Sequence, residues 1–350
     1  MGRRLRRTVS RSTEVCRHRI CVGTSRTRTA AIGDIWLSDP PATPSLTLNR
    51  PRGALFLAPI GDGRHRLAVI DRSTMFHTAH EELTFDELRS STTRIAGTDF
   101  GTHDPGYLTR VGNAVLQAES YRRGRVLLAG DAAHIHVPLG GQGMNLGLAD
   151  ASNLGWKLAA EIAGTGSPQL LDSYHVERHP MGECVVEDTR AQSALVFDDT
   201  PDGGALRARF NEMPGSHPSL NLELAERLAG LSLSYPVSNA SHPLVGHRMP
   251  DLALSGAPAS STFGLLRELR FVVLLLGDDQ FTGPLPHIDA AVTAIKASAM
   301  DTEKRPEWDG VHTILIRPDG HIGWIGADPT GHTSTTLTNT LATWLDIRSP

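Results

Sequence analysis

The sequence predicts an α/β chain of the α+β kind, in which an antiparallel or mixed β-sheet comes first, long helices follow, and a separate α/β layer closes the chain. Three observations carry this prediction. Before residue 120, short apolar runs alternate with Pro and Gly punctuation and leave little room for helix. Between Met144 and Phe197, apolar residues recur at helical spacing. The last hundred residues read as strand, helix, hairpin and helix, which is enough for an independent layer. A length of 350 residues fits roughly two domains at about 150 residues each.

Taken in order, Ile35–Leu37, Ala54–Leu57 and Leu67–Ile70 read as strands, with Gly61-Asp62-Gly63 as a hairpin turn. Thr84 followed by Glu87 is a capping-box pattern, so a short helix is expected over Thr84–Arg89. Val111–Ala118 reads as a further strand. Arg125–Ala129 (RVLLA) is a buried-strand signal that ends in Gly130-Asp131. From Met144 to Ala163, Leu146, Ala149, Leu154, Leu158 and Ile162 mark the apolar side of a helix, and Leu170–Phe197 is a second long helical stretch. Residues 199–245 are rich in Pro, Gly and Ser around a short helix at Asn221–Leu228, and read as a connector. Beyond it, Phe271–Leu276 reads as a buried strand, Ile288–Ala297 as a helix, and Val311–Ile316 and His321–Ile325 as strands joined by Pro318-Asp319-Gly320. Ser334–Leu345 closes the chain as a helix.

Composition excludes several function classes. Hydrophobic residues make up 39% and charged residues 21%, which is enough apolar material for packed cores. The net charge of −4 offers no global attraction to nucleic acid or an acidic membrane surface. The longest aliphatic or aromatic run is the six residues Phe271–Leu276, far short of a membrane span. Only Cys16, Cys21 and Cys184 occur, an odd and sparse set that makes no disulfide framework and suits a reducing cytoplasm. Residues 1–30 are an arginine-rich start, with nine arginines before residue 29 against Glu14 alone. A nucleic-acid arm and a transit peptide are alternatives there, but an unstructured chain start is the favoured reading.

The chemically informative segment is Gly124 to Lys157. A strand delivers Asp131 at its carboxyl end, where open α/β sheets place ligand-binding groups. Gly140-Gly141-Gln142-Gly143 then runs into a helix at Met144-Asn145. Glycines there permit positive φ and let backbone approach a flat ligand. The free N–H groups and positive dipole end of the helix favour a ligand edge that is, or becomes, negative. Asp131 alone could be a turn cap, and Gln142 and Asn145 could cap the helix. Asp131 with His134 and His136 lacks the further ligands of a zinc site, so no metal is expected. Asp150 and Asn153 read as helix-surface or helix-packing polar residues, Trp156 as core, and Arg178 and His179 as a solvated face.

This block resembles the second flavin-binding motif of the FAD-dependent aromatic hydroxylases, the group A flavoprotein monooxygenases. The residues that carry the likeness are Gly130-Asp131-Ala132-Ala133-His134, Pro138, Gly140-Gly141-Gln142-Gly143-Met144-Asn145, Asp150-Ala151 and Asn153-Leu154. An ordered block of this length is far more specific than a lone glycine pair. Arg110-Val111-Gly112-Asn113, Gln117-Ala118-Glu119, and Gly33-Asp34 through Asp39-Pro40-Pro41 are similar to the same family. So is Gly246-His247-Arg248-Met249-Pro250-Asp251, at the start of a thioredoxin-like unit like that of the polyketide and phenol hydroxylase branch. That unit carries no cysteine here, so it does no disulfide exchange. The resemblance implies a partial FAD/NAD(P)-binding hydroxylase fold. Its parts are a mixed substrate-binding sheet over 31–120, the FAD-binding motif and long helices over 121–198, the connector over 199–245, and a thioredoxin-like domain over 246–350.

By position, the resemblance implies that Gly130 and Asp131 hold FAD, with Asp131 accepting hydrogen bonds from its ribityl or ribose hydroxyls. The Pro138 carbonyl would lie near the flavin C4a, making Pro138 the expected catalytic position. Gly140, Gly141 and Gln142 would form the loop, and the N–H groups of Gly143, Met144 and Asn145 would face the N1/C2 carbonyl edge. The implied activity is hydroxylation of a phenolic or polyketide ring with NADPH or NADH and O2. The partner would be an aromatic small molecule rather than nucleic acid or membrane, with a homodimer left open. Two family motifs are not matched: no G-x-G-x-x-G occurs before residue 120, and Arg11-Ser12-Thr13 with Arg17 is all that corresponds to the middle motif. The chain therefore reads as an N-terminally truncated hydroxylase. The alternative from another class is a non-catalytic binding or assembly module derived from such an enzyme.

Overall fold

The computed structural model describes residues 20–21, 28–198, 200–237, 240, 242–276, 291–299, 306–326 and 333–346. The arginine-rich start lies outside the described residues up to residue 27, apart from the short strand β1 (Ile20–Cys21); this includes Arg11-Ser12-Thr13 and Arg17.

The first layer is a five-stranded antiparallel sheet in the order β3-β4-β5-β2-β6. Its strands are β2 (Thr29–Leu37), β3 (Leu46–Arg50), β4 (Gly53–Gly61), β5 (Arg64–Asp71) and β6 (Thr102–Gly112). Period-two burial puts Ile35, Leu55, Leu57, Leu67 and Val69 on one face. Helix α1 (Phe85–Ala96) covers that face with Leu88 and Ile95. The β4–β5 hairpin turns through Asp62 and Gly63, both at positive φ (53° and 76°), the arrangement a two-residue Asp-Gly loop adopts. Thr84 caps α1 by accepting from the Glu87 amide at 3.2 Å, and the helix runs on to Gly97, past the expected end at Arg89. The Glu87 carboxylate does not complete a reciprocal cap, because Arg110 on β6 takes it as an ion pair.

The expected strand Val111–Ala118 is split. Strand β6 ends at Gly112, and β7 (Leu116–Ala118) joins a second sheet between β1 and β10 (His134–Ile135). Arg125–Ala129 likewise gives only β9 (Val126–Leu127), paired with β8 (Arg122–Arg123). The Leu128 amide donates to the Tyr121 carbonyl, and the chain then enters a 3-10 turn over Gly130–Ala132. Among the described residues β9 has no parallel neighbour to extend it, so its apolar run makes a short ribbon.

Helices α2 (Gln142–Ala163) and α3 (Asp172–Phe197) follow. The expected connector is more ordered than its composition suggests. It holds α4 (Pro201–Ser216), capped by Thr200, and α5 (Pro218–Ala229), which ends at Gly230. Proline at the first position of each helix costs no intrahelical hydrogen bond.

The C-terminal sheet has the order β11-β13-β12-β14-β15, formed by β11 (Leu254–Ser255), β12 (Phe271–Leu276), β13 (Val292–Ala299), β14 (Thr313–Ile316) and β15 (Ile322–Gly326). Helices α6 (Thr262–Leu265) and α7 (Thr333–Leu341) complete it. The helix expected over Ile288–Ala297 is wrong from residue 292 onward; residues 288–290 lie outside the described residues. β13 pairs in parallel with β12, burying Ile295 and Ala297 and exposing Lys296. Alanine and lysine favour helix locally, but here the period-two pattern and the neighbouring strand decide. This unit also shares a core with the helices before it. Trp156 of α2 and Leu170 pack in one cluster with Phe271, Val273, Leu315, Trp324, Leu337 and Leu341.

Candidate functional site

The site is built where the 3-10 turn, β10 and the glycine loop meet the start of α2. Gly130 sits at φ 57°, a region that glycine enters freely, and its Cα packs against Gly147 of α2. A Cβ on Gly147 would lie 3.4 Å from that atom, so two glycines allow turn and helix this close. Asp131 follows, exposed to solvent in the first turn of the 3-10 segment. Pro138 is also exposed and opens the turn Leu139–Gly141, its carbonyl accepting from the Gly141 amide at 3.3 Å. Gly140 (φ 74°) and Gly141 (φ 65°) are both left-handed.

Gly141 is the N-cap of α2, and among the described residues the helix start has no side-chain cap hydrogen bond. Gln142 therefore does not cap the helix. It is buried, and its side-chain amide donates to the Arg227 carbonyl on α5 at 2.8 Å. Gly143 lies against the His136 ring, where a Cβ would meet Nε2 at 3.2 Å. Met144 is 75% exposed and Asn145 is exposed as well. Apart from the buried Gln142, the predicted residues thus lie along an open, glycine-lined surface at a positive helix end. His134 and His136 turn to Asp150 and to the Val137 carbonyl, and no group of metal-ligating side chains forms among the described residues.

Beneath this surface lies a buried anchor that sequence reasoning missed. Asp150 is fully buried, and it accepts from the Gly130 amide (3.0 Å), from His134 Nε2 (2.8 Å) and from Arg178 Nε (2.8 Å). Burial alone would raise its pKa, but the His134 hydrogen bond and the Arg178 charge outweigh burial and hold it below the ordinary carboxylate range. Arg178 is 2% exposed, so the expected solvated face at Arg178 is wrong; the partly buried His179 packs its ring 5.2 Å from Tyr121. Polar residues in contact with both α2 and the 3-10 turn can be buried here because each finds a partner.

A second buried cluster ties α2 and α3 to the C-terminal sheet. Glu177 of α3 receives Lys157 Nζ (2.7 Å), Asn153 (2.8 Å) and both terminal nitrogens of Arg317 (2.8 and 2.7 Å). Arg317 also reaches Asp319 at 2.7 Å, and Asp319 accepts from Asn153 and from Trp156 Nε1. The two cations and two carboxylates balance, which is what lets the group sit out of water. The signal in the sequence was the spacing Asp150, Asn153, Lys157, which puts all three on one side of α2.

Residues 16–189 match the FAD binding domain family and residues 242–347 match the aromatic-ring hydroxylase C-terminal family. The chain is 42% identical over 288 residues to the 12-dehydrotetracycline 5-monooxygenase/anhydrotetracycline 6-monooxygenase of Streptomyces rimosus, covering 80% of this chain and 55% of that one. It is 39% identical over 332 residues to the uncharacterized aromatic compound monooxygenase YhjG of Bacillus subtilis, covering 93% of this chain and 65% of that one. The chain thus spans between about half and two-thirds of the length of these curated relatives. Among solved structures, the OxyS anhydrotetracycline hydroxylase from Streptomyces rimosus superposes with a TM-score of 0.81 at 36% identity, over 97% of this chain and 67% of that one. The left-handed glycine loop, the uncapped helix start and the exposed Asp131 fit the flavin that such a family holds. From sequence and fold together, the chain belongs to the FAD-binding aromatic-ring hydroxylases.

Proposed function

We propose that this chain forms the flavin-edge and substrate-sheet portion of an FAD-dependent monooxygenase. The reaction is hydroxylation of an aromatic ring, phenolic or polyketide, with NAD(P)H and O2. The observation that carries the reading is the uncapped start of α2 behind two left-handed glycines, with Asp131 exposed on the neighbouring turn. FAD, when bound, would supply the redox chemistry. The protein's part is to bind and orient. Asp131 accepts hydrogen bonds from FAD hydroxyls, and the amides of Gly143, Met144 and Asn145 stabilise negative charge on the pyrimidine edge. Gly130, Gly140 and Gly141 keep the backbone clear of the ring, Gln142 anchors the loop to α5, and the Pro138 carbonyl borders the reacting face. A cytoplasmic setting, a homodimer and a small aromatic partner, with no nucleic acid or membrane, belong to the same reading. The sparse cysteines and the net charge of −4 support it. No helix among the described residues is long and apolar enough to cross a membrane.

Titration with FAD tests the assignment. Asp131→Ala is expected to weaken FAD binding about ten- to a hundredfold, and Asp131→Asn, which keeps one acceptor, by less. Equal FAD affinity in wild type and Asp131→Ala overturns the role of Asp131.

Gly141 gives an independent check. A Cβ there has open space around it, so Gly141→Val can fold, but its φ of 65° is strained for a β-branched residue. The variant is expected to keep its melting temperature within a few degrees of wild type, roughly a 1 kcal/mol change, and to lose FAD on gel filtration. A flavin-loaded Gly141→Val chain would rule out the proposed loop geometry.

A further inference from the structure

Away from the glycine loop, an open cleft of about 450 Å3 lies between α4 and the sheet end formed by the β3–β4 turn and the residue after β5. Three arginines line it: Arg50 at the end of β3, Arg72 just beyond β5, and Arg207 on α4. Asn49, Thr200 and Asn211 add neutral polar groups, and neither an acidic nor an aromatic side chain lines it among the described residues. Asp198 offsets part of the Arg207 charge, but among the described residues no carboxylate forms an ion pair with Arg50 or Arg72. Arg207 donates to the backbone carbonyls of Leu195 and Asp198. Of the acids near it in sequence, Asp71 is engaged with Arg94 and Ser73, Asp198 accepts from the amide and hydroxyl of Thr200, and Asp202 of α4 does not line the cleft. Arg72 carries a further sign of an unmet need, since its Nε is shielded from solvent and has no hydrogen-bond partner among the described residues. A buried donor left unpaired costs free energy that a bound acceptor would recover.

We propose that this cleft recognises phosphate and takes the phosphate groups of a nicotinamide dinucleotide, an inference that rests on the monooxygenase reading for its need of that reductant. Planar guanidinium groups match phosphate oxygens in paired hydrogen bonds, and nothing in the lining offers a stacking surface that would select an uncharged ring instead. The cleft is also joined to the proposed flavin loop. Ala54 and Ile70, next to its walls, share one apolar cluster with Val137 and Leu139, which flank Pro138. A dinucleotide anchored here is therefore held by the same rigid core that sets the loop.

The test is calorimetric titration of the chain with NADP+, 2′,5′-ADP and inorganic phosphate, with FAD affinity measured in parallel. Arg50→Gln/Arg72→Gln leaves Arg207 to its structural carbonyls. It is expected to weaken NADP+ and 2′,5′-ADP binding at least about tenfold, with FAD affinity and melting temperature unchanged. Arg72→Lys, which keeps charge but not the fork, is expected to recover part of the loss. Wild-type affinity in the double variant overturns the proposal, as does binding of inorganic phosphate as tight as that of the nucleotides. A chain that takes up FAD but shows arginine-independent NADP+ binding refutes the cleft alone. One that binds NADP+ through these arginines yet takes no FAD refutes the flavin reading and supports the cleft.

Discussion

Asp150→Ala is expected to destabilise the chain by about 3–5 kcal/mol, the range seen when one partner of a buried ion pair is removed. Three donors converge on this carboxylate, and Arg178, 2% exposed, would keep its charge with no counter-ion in contact. Urea denaturation followed by circular dichroism measures the loss. Asp150→Asn keeps one acceptor for Gly130 or His134 but still strands Arg178, so a smaller loss of the same sign is expected. A change under about 1 kcal/mol for Asp150→Ala would show that water or a shifted side chain replaces the carboxylate at little cost. The effect should also reach the site, because the Gly130 amide that Asp150 holds leads directly into Asp131.

Glu177→Gln is expected to have a comparable effect, about 3–5 kcal/mol, for a related reason. Both Lys157 (fully buried) and Arg317 (3% exposed) lean on this carboxylate, and the amide keeps the volume but not the charge. Burial would raise the pKa of Glu177, but the Arg317 charge and hydrogen bonds, with Lys157, bring it down to about 2. Its stabilisation is therefore fully present above the unfolded value near 4.5 and is lost as pH falls through about 2. Lys157 behaves differently. Burial pulls it down to about 8, because it has one carboxylate partner and a like-charged neighbour in Arg317, whereas Glu177 has two cations. Between about 8 and 10.5 the unfolded chain binds the proton that the folded chain has released, so this group adds stability as pH rises through that window. Denaturation midpoints from pH 2 to 10 are expected to show both limbs in wild type, and Glu177→Gln should lose its share of the acid limb. Unchanged acid sensitivity in Glu177→Gln would assign that limb to other carboxylates. Because the cluster joins α3 to Arg317 just after β14, the variant should also expose the Arg317–His321 turn to protease before global unfolding.

The elements that organise the proposed flavin surface were legible because their residue types act through the backbone. Gly140 and Gly141 permit the left-handed conformation that both adopt, and Asp62-Gly63 likewise announces its hairpin. Thr84 predicts its cap for the same local reason, though the carboxylate of Glu87, drawn to Arg110 across the sheet, did not follow the local pattern. The β13 segment shows the limit: its local preference was helical, and pairing with β12 overrode it.

By itself the sequence determined the family, the left-handed glycines and the presence of a strand-rich layer before residue 120, all of which depend on contiguous residues and backbone geometry; that the layer is wholly antiparallel, and that Asp131 stands in a 3-10 turn instead of at a strand end, came from the tertiary pairing. The tertiary structure decided which side of α2 faces inward. Helical spacing marked an apolar side running from Leu146 to Ile162, yet Ile162 is 85% exposed, while Asp150, Asn153 and Lys157 are fully buried. The reason is that a polar side chain can leave water only where its partners already stand. Those partners come from α3 and from Arg317, the last 140 residues beyond Glu177, a distance along the chain over which no local pattern carries information.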